Sequence, residues 1–104
     1  MIIEAKPAGQ TSPKVEKFAI ESILYTINCS ALLEHNEVIT GVSIPSISSN
    51  ISFSDIRSRK GTTIEVKISN TPIGSPFIDF NVKVLFTTNL GSSKVAIFLL
   101  KVHK

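Results

Sequence analysis

His35, His103 and Cys29 are the side chains of this sequence best suited to acid–base or nucleophilic chemistry, and eight carboxylates accompany them. Nucleophilic catalysis needs a nucleophile, a base within hydrogen-bond reach and a group that orients the base. His35 lies in the polar run "LEHNE" and reads as a solvated surface residue. His103 is the next-to-last residue, where fraying is expected to leave it unpositioned. The acids Glu4, Glu16, Glu21, Glu34, Glu37, Asp55, Glu65 and Asp79 are scattered over expected loops and outward strand positions. A glycosidase pair needs two carboxylates facing each other across a cleft, which a domain this small rarely makes, and calcium needs D-x-D-x-D-like spacing, which does not occur. G-x-S-x-G, H-E-x-x-H, P-loop and dinucleotide motifs are also missing. A lone Cys29 cannot form an internal disulfide or a cysteine-pair zinc site. It shares a face with Tyr25 and Ile27, so it reads as a buried, inert thiol. No catalytic, cofactor-binding or metal residue is assigned, and no cofactor is implied.

The formal charge of +3 is mild, and the basic residues are interleaved with acids, which argues against a dedicated nucleic-acid protein. Arg57, Arg59 and Lys60, in "RSRKG", form the one concentrated basic feature. They could meet phosphate or an acidic patch on a partner, or simply keep a loop tip soluble. With no Trp and one Tyr, expected to point inward, a stacking platform for bases or sugars is not anticipated. No run of eighteen apolar residues is present, so no membrane-spanning helix is expected. The opening "MIIEAKPAGQ" has neither a basic start nor a long apolar stretch and does not read as a secretory signal.

These side chains need elements to hold them, and the composition says which. Fifteen Ile and eight Val, with twenty-two Ser and Thr, favour pleated surfaces over helices. Residues 1–17 carry Pro7, Gly9 and Pro13 and little to bury beyond Ile2, Ile3 and Val15. They read as an extended arm, with a domain at 18–104. Alternation runs through 18–29, with Ile23, Tyr25, Ile27 and Cys29 on one face. Residues 30–36 suggest one helical turn capped by Ser30. Strands are expected at 38–44, where Val42 and Ile44 face inward, at 50–54 and at 62–69, with "DIRSRKG" as a link ending on a glycine suited to positive φ. The two prolines of "NTPIGSP" stop strand continuation. The final pair is joined by "NLGSS", short enough for a hairpin. The expected architecture is all-β: an immunoglobulin-like antiparallel sandwich of about seven strands with an extended N-terminal arm.

The last pair poses a question. Residues 77–86 alternate cleanly, with Ile78, Phe80, Val82, Val84 and Phe86 on one side. The partner "KVAIFLLKV" does not: Ala96, Phe98, Leu100 and Val102 take one face, and Val95, Ile97 and Leu99 make the other apolar too. Exposed apolar strips of this kind mark contacts. The arm, through Ile2 and Ile3, could cover that face, as could a partner or a neighbouring subunit. Ile2, Ile3, Arg57, Arg59, Lys60, Val95, Ile97 and Leu99 are therefore the candidate interface residues.

The order of segments also resembles a small immunoglobulin-like domain of tailed-phage virions, the fibre–tail adaptor-like family. The resemblance is carried by "ESILYTINCSALLEHNEVITGVSI" and "GTTIEVKISNTPIGSPFIDFNVKVLFTTNLGSSKVAIFLLKV", through segments 24–30, 37–42, 76–84, 87–93 and 98–102. Cys29 stands where the family usually has Trp, and "SKVAIF" replaces a more polar stretch. The resemblance implies a non-enzymatic structural protein of the virion, assembled in the host cytoplasm. Its expected partners are other virion proteins of the tail, neck, fibre or capsid, and copies of itself, with no membrane. An adaptor joining tail or neck to fibre is the first expectation and a capsid cement or decoration protein the second. A carbohydrate-binding module, a reading from a different class, is disfavoured by the lack of Trp and the inward Tyr25.

Overall fold

Period-two alternation builds the centre of the fold. Over β7 (Phe77–Thr88) every second residue from Phe80 to Thr88 is buried, and over β8 (Ser93–His103) the buried set is Ala96, Phe98, Leu100 and Val102. The two strands pair antiparallel along their whole length through the turn that holds Gly91 at φ 80. In β3 (Ile23–Asn28) and β6 (Thr63–Ile68) the same rule buries Tyr25, Ile27, Ile64, Val66 and Ile68. A computed structural model of the chain describes residues 1–7, 9–43, 51–69 and 71–104.

Among the described residues eight strands form two four-stranded sheets. The others are β1 (Ile2–Glu4), β2 (Lys14–Phe18), β4 (Ile39–Val42) and β5 (Phe53–Arg59). Sheet I has the order β1-β3-β6-β5 and sheet II the order β2-β8-β7-β4. Without β2, the strand order matches the ABED and GFC sheets of an immunoglobulin constant-type sandwich, except that β1 runs in the opposite direction. The domain is all-β and immunoglobulin-like. Facing side chains of the sheets meet in one apolar layer, where the Tyr25 and Phe98 rings lie 6.0 Å apart. Each fully buried aliphatic or aromatic side chain contributes on the order of 1.5–3 kcal/mol.

Several expectations need correction. The sandwich is mixed rather than purely antiparallel, because β1 runs parallel to β3 and β2 parallel to β8. Eight strands lie among the described residues, where about seven were expected. No free N-terminal arm exists: residues 1–17 supply β1 and most of β2, one to the edge of each sheet. Ile3 and Ala5 enter the core at 2% exposure. The turn over Ser30–Leu32 is 3-10, and Ser30 does not cap it; instead Asn28 Oδ1 accepts hydrogen bonds from the Ser30 amide and hydroxyl. Arg57 and Arg59 sit within β5, which runs through most of the expected link. Gly61 does adopt positive φ, 70°, and a Cβ there would stand 2.9 Å from Val38 Cβ. Val42 is half-buried, while the expected inward Ile44 lies outside the described residues.

One polar atom in the core is out of place. Tyr25 is fully buried, yet its Oη has no hydrogen-bond partner among the described residues. Such a group costs about 1–3 kcal/mol. Tyr25→Phe removes only the hydroxyl and should raise the thermal midpoint, by about 4–8 °C per kcal/mol recovered. A lower midpoint would mean that the hydroxyl is satisfied after all.

Candidate functional site

The candidate interface residues do not form one surface. Ile3 points into the core, while Ile2, its neighbour on β1, is 70% exposed on the outer side of sheet I. Arg57 and Arg59 occupy the opposite edge of that sheet. Arg59 Nε donates to Glu65 Oε1 at 2.6 Å, and Arg57 Nε lies 3.4 Å from the same oxygen. Glu65 thus neutralises part of the basic feature, which weakens the case for a phosphate site. Lys60 turns the β5–β6 hairpin at φ 55.

Val95, Ile97 and Leu99 belong to the outer face of sheet II, and register places their neighbours. Leu85 stands across from Val95, Lys83 from Ile97, and Asn81 from Leu99, with Lys14 of β2 on the far side of Leu99. Ile97 and Leu99 are half-buried; Val95 and Leu85 are 42% and 44% exposed. Part of the cover comes from this chain itself. The segment leading into β2, including Lys6, Pro7 and Gln10, lines a cleft with Leu32, Val95 and Ile97. The amide of Leu99 donates to the Pro13 carbonyl at 2.9 Å. What stays open is a short aliphatic strip, Leu85 with Val95.

Further along the same face the rows change character. Glu16, Lys101 and Asp79 form one cross-strand row, and Phe18, His103 and Phe77 the next. His103 is therefore positioned, contrary to expectation: Nε2 lies 3.2 Å from Glu16 Oε1, and its ring centroid 5.9 Å from that of Phe18. His35 is exposed, as read from its polar context. Cys29 is fully buried, and burial pushes its thiol pKa up to about 12, so no thiolate is available at neutral pH.

Two buried charges escape a sequence reading. Glu37 looks like one more loop acid, yet it is only 4% exposed. Lys94 Nζ donates to Glu37 Oε1 at 2.7 Å, Thr88 Oγ1 donates to Oε2 at 2.6 Å, and the Glu34 amide donates to Oε1 at 2.9 Å. Lys94 also donates to the Leu32 carbonyl at 2.6 Å, tying the 3-10 segment to β8. These hydrogen bonds, that from Lys94 first, hold the Glu37 carboxyl down at about 2. A carboxylate depressed on folding stabilises the fold above its unfolded value and loses that contribution as pH falls through its folded value. The wild-type thermal midpoint should fall as pH drops from 4.5 towards about 2, and Glu37→Gln should flatten that slope. An unchanged slope in the variant would assign the acid sensitivity to other groups.

Lys17 is the second buried charge, on an inward position of β2 across from Val102. Its ammonium donates to the carbonyls of Phe18 at 3.1 Å and Glu21 at 2.9 Å, closing the turn after β2. Burial lowers its pKa, and the nearby Glu21 opposes that shift. Both charges read as structural clasps at strand ends. Among the described residues, no group of three His, Cys, Asp or Glu converges as a metal site would require. No protein-family profile matches the chain, and no curated protein matches it.

Proposed function

We propose that this chain is a non-enzymatic structural module of a tailed-phage virion: an immunoglobulin-like adaptor that joins tail or neck components to a fibre. The observation that carries the proposal is the outer aliphatic strip of sheet II, Leu85 and Val95 with the half-buried Ile97 behind them. Apolar side chains clustered on one outer strand pair suit the dry centre of a protein contact. The resemblance of segments 24–30 and 76–102 to the adaptor-like family supports the assignment to a virion. The strip would dock against another virion protein or a second copy of this chain.

The test is incorporation into particles. Lys83 stands directly across from Ile97, so Ile97→Glu places opposite charges side by side, which offsets by about 0.2–1 kcal/mol the loss of a half-buried aliphatic side chain. The variant should fold normally and be missing from purified particles. Normal incorporation would remove the strip from the contact. Copy number distinguishes the adaptor from a capsid cement. A ring-sized count of about six or twelve fits an adaptor, and a count on the scale of the whole capsid lattice fits a cement. Absence of the wild-type chain from particles would overturn both.

A further inference from the structure

Phe18, His103 and Phe77 lie side by side on β2, β8 and β7, at the opposite end of β8 from Val95. Phe18 is 57% exposed and Phe77 50%. Neither belongs to the apolar core cluster, so both rings are open to a partner despite the lack of Trp. The adjoining row is polar: Lys101 Nζ stands 4.6 Å from the centre of the Phe77 ring, and Glu16 approaches His103. Two clefts open onto these rows. One, of about 740 Å³, is lined by Met1, Lys14, Glu16, Asp79, Leu99 and Lys101, with Val15 at its wall. The other, of about 290 Å³, is lined by Glu16, Phe18, Glu21 and His103, with Lys17 beneath. Glu16 borders both, and each is close to the size range of small-ligand sites.

From this arrangement we propose that this end of sheet II binds a neutral oligosaccharide. A pyranose ring has an apolar C–H face and a rim of hydroxyls. Phe18 and Phe77 offer surfaces for the first, while Glu16 and Asp79 accept from hydroxyls and Lys101 donates to them. The two rings sit on strands separated by one other, about 10 Å apart, roughly the span of two linked sugars. Nucleic acid fits less well. Bases could stack on the same rings, but Glu16, Glu21 and Asp79 offset Lys14, Lys17 and Lys101, so the rows carry no net positive charge to hold phosphates. The site is independent of the docking strip, since it shares neither Leu85 nor Val95 with it.

The experiment is an amide NMR titration of the full chain with cellohexaose, chitohexaose and maltohexaose, with oligothymidylate as the polyanion. At least one sugar should shift amides clustered at Phe18, Phe77, Lys101 and His103. Phe18→Ala and Phe77→Ala should each weaken that binding about tenfold, while Leu85→Ala leaves it unchanged. Glu16→Gln, which spares both rings, should also weaken it and covers the case in which a Phe18 variant does not fold. No shifts with any of the three sugars would overturn the proposal. So would shifts caused by oligothymidylate alone, or binding that survives loss of both rings.

Discussion

Phe98→Lys is expected to leave the chain unfolded. Phe98 is fully buried in the middle of β8, with the Tyr25 ring 6.0 Å away across the sandwich. Losing the ring costs about 3–5 kcal/mol. An ammonium without a partner in that apolar layer adds several more. Small domains have only about 5–15 kcal/mol in total. The neighbouring Ile97→Glu is the control, because Ile97 faces outward and lies across from Lys83. Circular dichroism should show strand signal for Ile97→Glu and a disordered spectrum for Phe98→Lys. The reverse pattern would mean that β8 has been assigned the wrong inner face. Severe unfolding of both would show that the domain itself needs the outer face covered.

Deleting residues 2–18 should be nearly as damaging. An arm waiting for a partner could be removed with little effect on the domain, and that outcome is not expected here. Ile3 and Ala5 would leave the core, and Lys17 would no longer close the turn after β2. Both sheets would also lose an edge. The newly opened edges would be β3 and β8; β8 is apolar on two faces, and such an edge pairs readily with other chains. The truncated protein should aggregate on size-exclusion chromatography and lose its cooperative melt. A monomer melting within a few degrees of the full chain would show that β1 and β2 are dispensable.

The contrast between those strands and the rest explains what the sequence discloses. β3, β6, β7 and β8 were legible because each buries every second residue against the opposite sheet. β2 was not, because its inward positions hold Val15 and Lys17 and its outward ones Lys14, Glu16 and Phe18. A buried lysine beside an exposed phenylalanine inverts the expected pattern. β1 has three residues, too few to display a period. In β5 a register shift between Ser54 and Arg57, with Asp55 at φ 53, breaks the alternation and makes a strand look like a basic loop. The adjoining rows on sheet II suffered differently. Phe77 shares its side of β7 with the outward Asp79, a parity visible in the sequence. That Phe18 and His103 lie beside it follows only from the parallel register of β2 on β8.

That register also constrains how the native state can be reached. Glu16 and His103 touch although they lie 87 positions apart along the chain. On the ribosome, β2 emerges early and must wait for β8, and until the same moment β7 has only the short β4 to pair with. Closing so long a loop is slow compared with forming local contacts, and unpaired strands are prone to aggregation while they wait. Sheet II therefore closes only after residue 103 has left the exit tunnel, so β2 spends nearly the whole synthesis of the domain without its partner strand.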